Sequence, residues 1–371
     1  MEKWSPQKIK LFQKKLLDWY DQEGRDLPWR KDHDPYHVWV SEIMLQQTQV
    51  KTVIPYYQRF MTLFPTVSAL AAAPEDQLLK AWEGLGYYSR VRNMQKAAQQ
   101  IMADYGGQWP NTAAELQKLS GIGPYTAGAI ASIAFDEKVP AIDGNAFRVF
   151  ARLFEVDVDI TKPQAQPVFY SLIEEVMPAE RPGDFNQAIM DLGSSYMTAK
   201  NPDSEHSPVK EFNRAYLDGK ELAYPVRTKK PRPVPVNYVA LVIKTAQGYL
   251  LEQRSSKGML ANLWTFPLVK WQDLSDDEDL KTVALPQLAT DYLVSTSNLR
   301  LKFRLLPAKI VTHTFTHQKW SLTLLFAETT TKQDLSFFPG RLIKASDFAS
   351  VTWPKVQQKL WDEYQKSLSV D

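Results

Sequence analysis

A proline-rich, basic stretch divides this 371-residue chain into two parts with different residue patterns. The stretch is 224–236 (YPVRTKKPRPVPV), which holds four prolines and four cations. Proline fixes φ and lacks a backbone donor, so this composition favours an extended, exposed connection over a helix or a sheet. We therefore predict two domains, residues 1–224 and 237–371, joined by a linker at 225–236. The pattern fits a solvated tether and a tether whose cations also contact phosphate equally well.

The overall composition limits the class of protein. Hydrophobic residues make up 44% and charged residues 23%, as in soluble globular proteins. The net charge of +2 does not by itself indicate a nucleic-acid partner. The chain has no cysteine, which excludes disulfides, a thiol nucleophile and a thiolate-ligated zinc or iron–sulfur centre. The first residues, MEKWSPQKIK, lack the apolar core of a signal peptide, and no apolar run approaches the ~20 residues of a membrane span, so we expect a cytoplasmic protein.

Before the linker, apolar residues recur at the three- and four-residue spacing of helices. The segments are Ile9–Leu17, Val38–Leu45, Asp76–Trp82, Met94–Met102 and Phe147–Leu153. We expect a single helix over 37–50, with Glu42 in its middle. These segments predict an all-α N-terminal domain.

After the linker, the pattern becomes strand-like. The runs 238–244 and 249–253 around Gly248 predict a β-hairpin. Further strands are predicted at 308–316 and 321–327, and a helix interrupted by Pro286 at 280–293. The second domain is therefore predicted to be α+β.

The segment 119–127 (LSGIGPYTA) carries the most specific local signal in the chain. Gly121 and Gly123 permit a tight turn, and Pro124 is suited to the first turn of a following helix. The free N–H groups at that helix start would face a phosphate favourably. An ordinary packing joint between two helices is the alternative, but the pattern favours a helix-hairpin-helix DNA-binding element.

Two carboxylates are candidates for acid and anion roles. Glu42 lies among apolar residues, which should raise its pKa and keep a protonated acid near neutrality. Asp143 can cap the helix that follows it, and capping favours the ionised form. A salt-bridged helix residue and a plain N-cap are the alternatives. Together the pair suits cleavage of a glycosidic bond.

Five segments of the N-terminal part resemble the MutY-type adenine DNA glycosylases of the helix-hairpin-helix superfamily. They are RDLPWR (25–30), VSEIMLQQTQV (40–50), GLGYYSRVRN (84–93), LSGIGPYTAGAI (119–130) and AIDGNAFRVFAR (141–152). The resemblance implies removal of adenine paired with 8-oxoguanine or guanine in duplex DNA, in base excision repair. It also implies a monomeric protein associated with a bacterial nucleoid.

The resemblance assigns roles to individual residues. Glu42 would protonate adenine, Asp143 would stabilise or briefly bond the sugar cation, and Tyr125 and Asn145 would complete the catalytic set. Arg25, Trp29, Arg30 and Gln187 would surround the base. Gln47 and Tyr87 would wedge into the duplex, and Gly121 and Gly123 would contact its backbone.

The same resemblance favours a monofunctional enzyme. Bifunctional relatives carry a lysine nucleophile just after the hairpin, where this chain has Tyr125. No lysine lies between Lys118 and Lys138. A lysine is needed for Schiff-base attack on the sugar, so hydrolysis is the expected reaction.

The C-terminal part resembles the Nudix-like 8-oxoguanine recognition domain of the same family, through LWTFP (263–267) and HTFTH (313–317). Phe315, Thr316 and His317 would then approach the oxidised guanine; a β-edge with a buried Phe315 is the alternative. Nudix hydrolysis needs several glutamates on one helix, but here the acids are 276–279 (DDED), which we expect to begin a helix. The domain should therefore recognise rather than hydrolyse. A thymine glycosylase, a Nudix-type hydrolase and a non-catalytic lesion binder remain alternatives for the whole chain.

The absence of cysteine is a specific departure from the family. Most relatives place four cysteines, in C-x6-C-x2-C-x5-C spacing, after a D-L-G segment to hold a [4Fe–4S] cluster. The matching positions here are Met197, Ser204, Ser207 and Asn213, with the loop length kept. We therefore predict no cofactor and no metal. We also predict that the loop at 197–213 is packed by aromatic neighbours such as Tyr196, Phe212 and Tyr216.

Overall fold

The computed structural model describes residues 3–229, 231–277, 281–329 and 340–369. The chain forms two compact units. The N-terminal unit comprises Met1–Pro74 and Ser89–Lys229, and the C-terminal unit comprises Glu75–Tyr88 and Lys230–Asp371. No sequence pattern indicated that 75–88 would group with the C-terminal unit.

The part of the chain before the predicted linker is helical. In order its helices are α1 Pro6–Glu23, α2 Pro35–Leu45, α3 Val50–Leu63, α4 Val67–Ala72, α5 Glu75–Ala81, α6 Ser89–Asp104, α7 Ala113–Leu116, α8 Pro124–Phe135, α9 Gly144–Phe154, α10 Ala165–Val176, α11 Pro182–Ser195 and α12 Arg214–Leu217. Each of the five predicted helical segments falls on one of them, which confirms the helical assignment. A main core of the N-terminal unit joins the apolar faces of α1, α9, α10 and α11. No helix in the described ranges is both long and apolar enough to cross a bilayer.

The prediction of one helix over 37–50 was wrong. Helix α2 ends at Leu45 and α3 begins at Val50. Arg90 donates from Nη1 to the carbonyl oxygens of Ile43 and Gln46, both at 2.6 Å, and so satisfies acceptors that would otherwise continue the helix. Gln47 then adopts φ +62° in the connecting loop.

The predicted hairpin lies between α7 and α8. Gly121 has φ +75°, and a Cβ there would lie 2.6 Å from the Cβ of Asn93, so only glycine fits. Gly123 is the N-cap of α8, and space is open where its side chain would be. Pro124 occupies the first turn of α8, as predicted. The turn therefore leaves the start of α8 accessible to a ligand.

The C-terminal unit is built around a mixed sheet. Its strands are β1 Val234–Thr245, β2 Gly248–Gln253, β3 Trp264–Thr265, β4 Leu268–Lys270, β5 Arg304–Leu305, β6 Val311–Thr314, β7 Gln318–Thr329 and β8 Gly340–Ile343. The main order is β3-β2-β1-β7-β5, with β4 on β1, β6 on β7 and β8 on β2. The hairpin β1–β2 confirms the prediction, with Lys244 opposite Tyr249. The unit also contains α5 and, among the described residues after the linker, α13 Trp271–Leu274, α14 Leu285–Ser297 and α15 Lys355–Leu368.

Strand β1 is buried on both faces. Tyr238, Ala240 and Val242 pack into a core that includes residues of α15. Val239 and Leu241 pack into a second core that includes residues of α14. Because successive side chains of a strand point to opposite faces, one strand serves both cores.

Strand β1 begins at Val234, inside the segment predicted as linker. The Val234 N–H donates to the carbonyl of His317 at 2.9 Å. The missing donor of Pro235 therefore faces the other edge, where pairing with β4 starts only at Tyr238. Proline is tolerated at this end of the strand, so the predicted linker at 225–236 ends early and its last three residues belong to β1.

Two predictions about the helix after LWTFP also need correction. Pro286 lies in the first turn of α14 rather than interrupting a helix, because proline needs no donor there. Asp276 and Asp277 lie after α13 and outside any helix, so they do not begin one. Residues 278–280, with Glu278 and Asp279, and Lys230 of the predicted linker lie outside the described residues.

Candidate active site

A cavity of about 750 Å³ opens in the N-terminal unit. Helices α2, α8, α9 and α11 and the short 3₁₀ turn Pro28–Arg30 contribute to its wall. The sequence-predicted residues that line it are Arg25, Trp29, Arg30, Glu42, Gln47, Tyr125, Asp143, Asn145 and Gln187. The fold therefore brings together side chains that span more than 160 positions of the sequence.

Glu42 is the most buried carboxyl of the cavity, with 6% of its surface exposed. The Tyr125 hydroxyl donates a hydrogen bond to Glu42 Oε2. Burial raises the pKa of Glu42 to about 7; the charge of Asp143 acts in the same direction, while the Tyr125 hydrogen bond and the charge of Arg30 oppose it. Glu42 can therefore hold a proton at neutral pH, as its apolar surroundings predicted.

Asp143 is the N-cap of α9, as predicted. Its Oδ1 accepts from the backbone N–H groups of Asn145 and Ala146 at 2.8 and 2.7 Å, and its Oδ2 accepts from Asn145 Nδ2 at 2.7 Å. Burial raises the pKa of Asp143, and the capping hydrogen bonds, which favour the ionised form as predicted, oppose this change together with the charge of Arg148. The contacts nevertheless fix both oxygens of the carboxylate at the cavity wall.

Arg148 holds Asn145 in place. Its Nη2 donates to Asn145 Oδ1 at 2.6 Å and to the carbonyl of Gly193 at 2.7 Å, and its Nε donates to the carbonyl of Met197 at 2.6 Å. Arg148 was not among the predicted site residues. Its position three residues after Asn145, on the same face of α9, is the signal that could have identified it.

Asp191 joins the two predicted pocket arginines. Arg25 and Arg30 both donate to its carboxylate, which has 2% of its side-chain surface exposed. Asp191 begins the D-L-G segment of this chain and was not among the predicted site residues. It lies four residues after Gln187 on α11, and this spacing was the available signal.

The loop 197–213 does not fit an iron–sulfur cluster. Met197 is buried in the apolar core, and Asn213 Nδ2 donates to Ser204 Oγ at 3.1 Å and to Glu221 Oε1 at 3.0 Å. Ser204 Oγ also donates to Glu221, and Ser207 is buried. A thioether, two hydroxyls and an amide occupy the four positions, and no thiolate is available.

Of the three aromatic residues predicted to pack this loop, Phe212 does so most fully. Phe212 is buried with its ring 5.4 Å from those of Trp4 and Phe12. Tyr196 packs edge-on to Trp19 at 5.8 Å, and Tyr216 donates its hydroxyl to Glu205 at the surface. The polar network of Ser204 and Asn213 had not been anticipated.

The predicted lesion contacts lie in the C-terminal unit. Residues 315–317 form the turn between β6 and β7, closed by a 2.7 Å hydrogen bond from the Phe315 N–H to the Gln318 carbonyl. Thr316 and His317 are exposed there, and the Thr316 hydroxyl lies 3.3 Å from that of Tyr87. Phe315 instead packs half-buried against Trp320, with ring centres 4.7 Å apart.

The segment 75–88 is fixed to this unit by polar contacts. Glu83 Oε1 accepts from the Trp353 N–H at 2.8 Å, and Lys80 Nζ donates to the Val351 carbonyl at 3.1 Å. Tyr87 lies at the end of this segment with φ +48°, directly after Gly86. Tyr87, predicted to wedge into the duplex, and Thr316, predicted to approach the oxidised guanine, therefore lie side by side.

The fold and the site define a base excision DNA repair protein of the helix-hairpin-helix class with a NUDIX domain. Residues 40–175 match the HhH-GPD superfamily of base excision DNA repair proteins, and residues 238–363 match the NUDIX domain. A thermostable thymine-DNA glycosylase superposes with a TM-score of 0.53 and 25% identity, over 57% of this chain and 98% of that one. A trapped endonuclease III–DNA covalent intermediate superposes with a TM-score of 0.50 and 20% identity, over 58% and 99%.

Sequence relatives identify the family within this class. Adenine DNA glycosylase of Buchnera aphidicola subsp. Baizongia pistaciae is 38% identical, over 69% of this chain and 73% of its own length. The Rattus norvegicus and Homo sapiens adenine DNA glycosylases are 39% and 36% identical, over 70% and 75% of this chain. The chain belongs to the adenine DNA glycosylase family. It spans about three fifths of the length of these two mammalian relatives.

Proposed function

We propose that this protein is a monofunctional DNA glycosylase that removes adenine from duplex DNA by hydrolysing its N-glycosidic bond. One observation carries the proposal: a buried carboxyl that holds a proton near pH 7, Glu42, shares a cavity with the anchored carboxylate of Asp143. The two groups supply an acid for the leaving base and a negative charge for the sugar.

The reaction can be followed through these residues. Glu42 donates its proton to a ring nitrogen of adenine, and the C–N bond breaks with the electron pair going to the base. Asp143, held by Asn145, stabilises the positive charge that develops on the sugar until water adds to it. The water gives up a proton as the C–O bond forms, and the Glu42 carboxylate takes that proton and is restored as the acid. General acid catalysis contributes about 10²–10⁴-fold, so electrostatic stabilisation by Asp143 must supply much of the remaining rate enhancement.

The target adenine must leave the duplex to reach this cavity, because its reacting atoms are inaccessible inside the base stack. We propose that Gln47, at the cavity wall with φ +62°, enters the space that the base leaves. The N-terminal end of α8, after Gly121 and Gly123, would bind a backbone phosphate through its free N–H groups. Double-stranded DNA is therefore the proposed partner.

The acid assignment is tested with a duplex oligonucleotide that carries one adenine opposite 8-oxoguanine. Released adenine is quantified by chromatography under single-turnover conditions, for the wild type, Glu42→Gln and the control Glu174→Gln. Glu174 is an exposed glutamate on α10. We expect release by the wild type and the control and none by Glu42→Gln. An active Glu42→Gln variant would show that another group supplies the proton.

The monofunctional reaction has a separate test. Tyr125 occupies the position at which a lysine nucleophile would act, and its hydroxyl is engaged by Glu42. Borohydride added during turnover should trap no protein–DNA adduct, and strands should break only after alkali treatment. A trapped adduct would indicate a Schiff base and contradict simple hydrolysis.

We further propose that the opposing base is 8-oxoguanine, with guanine as a poorer alternative, and that the C-terminal unit recognises it. The pairing of Tyr87 with Thr316 at the exposed β6–β7 turn supports this assignment. A panel of A:8-oxoguanine, A:G, A:C and T:G duplexes tests it, with Thr316→Ala expected to reduce the preference for A:8-oxoguanine over A:G. Faster release of thymine from T:G would favour a thymine glycosylase, a class represented among the structural neighbours.

A further inference from the structure

The carboxylate of Asp191 receives an unusual number of hydrogen bonds. Arg30 donates from Nη1 and Nη2 at 2.7 and 2.9 Å, and Arg25 donates from its backbone N–H at 3.1 Å and from Nε at 2.8 Å. Arg25 Nη2 donates as well. Although burial opposes ionisation, the two guanidinium groups hold the pKa of Asp191 below its usual range. Asp191 is therefore a buried anion held between two cations.

Arg30 depends on this partner for its place in the cavity. Its side chain is only 12% exposed, and its guanidinium packs 5.7 Å from the centre of the Tyr20 ring. A buried guanidinium without a carboxylate is strongly destabilised, so it will turn to another anion within reach. The carboxylates that line the same cavity are Glu42 and Asp143.

The structure thus keeps two interactions apart. Arg30 forms its ion pair with Asp191, while Glu42 accepts its hydrogen bond from Tyr125. Building on the proposed function, we propose that Asp191 is a positioning residue that holds the Arg30 guanidinium in an ion pair of its own and so leaves the Glu42 carboxyl able to carry the proton that adenine receives.

The charges that face Glu42 decide the sign of the expected effects. They are the negative charge of Asp143 at the start of α9 and the positive charge of Arg30 in the turn before α2, while Tyr125 on α8 contributes the hydrogen bond of a neutral hydroxyl. Arg30 already lowers the pKa of Glu42 while it is paired with Asp191. Removing the charge of Asp191 should increase this effect, and removing Arg30 should abolish it. The two substitutions therefore move the titration of Glu42 in opposite directions.

The experiment measures single-turnover adenine release between pH 5 and 9 for the wild type, Asp191→Asn, Arg30→Gln and the double variant. The rate should fall as Glu42 loses its proton. We expect this falling limb to move down by about one pH unit or more in Asp191→Asn and up in Arg30→Gln, and to match Arg30→Gln in the double variant, because Asp191 acts on Glu42 only through Arg30. Asp184→Asn is the control, because Asp184 lies on α11 but pairs with Arg181.

The outcomes separate the inference from a general structural role. A uniformly slower Asp191→Asn variant with an unmoved limb would overturn the inference, because loss of packing alone does not change a titration. If Asp191→Asn does not fold, the pH dependence of adenine release by Arg30→Gln is the test. A falling limb at the wild-type position in that variant also overturns the inference.

Failure of the proposed function would be visible separately, as a wild-type protein that releases no adenine. In that case the Glu42 carboxyl is titrated directly by difference infrared spectroscopy, with Glu42→Gln as the subtraction reference. The inference still requires a downward shift in Asp191→Asn, and its absence overturns it.

Discussion

The Glu42→Gln substitution is expected to stabilise the folded protein at pH 8 and to have a much smaller effect at pH 5. Burial raises the pKa of Glu42 from 4.5 to about 7, so the folded protein binds a proton there that the unfolded chain has lost. Stability from the neutral carboxyl is complete below about pH 4.5 and is lost as the pH rises to 7 and beyond. Glutamine stays neutral throughout and can still accept from the Tyr125 hydroxyl.

The size of the effect follows from the two pKa values. They differ by about 2.5 pH units. Each pKa unit corresponds to about 1.36 kcal/mol. At pH 8, where Glu42 is ionised, the wild type should therefore be about 3 kcal/mol less stable than Glu42→Gln. At pH 5 the difference in stability should be under about 1 kcal/mol. For a unit of this size, a difference of 3 kcal/mol corresponds to roughly 6–12 °C in melting temperature.

The assay compares thermal unfolding of the wild type, Glu42→Gln and Glu174→Gln at both pH values. The exposed glutamate of the control should show little change at either pH. If Glu42→Gln gains the same increment at pH 5 and pH 8, burial does not raise the pKa of Glu42. Glu42 would then be ionised at neutral pH and could not serve as the acid there.

Three further substitutions test how the site is built. In Gly193→Ala the new Cβ would lie 2.6 Å from the Cβ of Asn145 and would displace the residue that holds Asp143. Adenine release should therefore slow by about 10²-fold while DNA affinity is kept, and an unchanged rate would contradict a positioning role for Asn145. Gly121→Ala combines φ +75° with a Cβ 2.6 Å from that of Asn93, so DNA affinity in gel-shift titrations should fall, and unaltered affinity would exclude the hairpin from binding. Asn213→Ala removes a buried amide that donates two hydrogen bonds and should cost about 1–3 kcal/mol in urea unfolding, whereas an iron chelator should change the stability of neither protein.

The features predicted correctly from sequence depend on local rules. Asp143 caps α9, and α8 begins at Pro124. Each of these features involves only a few neighbouring residues. The β1–β2 hairpin follows from the short apolar runs on both sides of Gly248. Such signals are readable because each element satisfies its own backbone groups within a short segment.

The features that were missed depend on contacts between distant parts of the chain. Helix α2 ends where it does because Arg90, more than 40 positions away, binds its terminal carbonyls. The ion pairs of Asp191 with Arg25 and Arg30 join residues more than 160 positions apart. Family resemblance located the two arginines, but it did not show which carboxylate neutralises them. Without that partner, the charge balance of the cavity could not be derived, although the apolar surroundings of Glu42 did predict its protonation.

The loop at 197–213 contributes a backbone atom, and no side chain, to the support of Asp143. Its link to Asp143 passes from the Met197 carbonyl through Arg148 and Asn145, and the loop's contribution to that link is a backbone oxygen. A backbone oxygen is fixed by the path of the chain, whatever side chains hold that path. Burial of Met197 and the hydrogen bonds of Asn213 hold it here, in place of four thiolates on a metal cluster. The carboxylate of Asp143 can therefore keep its support in a loop without cysteines, provided that the contacts present preserve the position of the Met197 carbonyl.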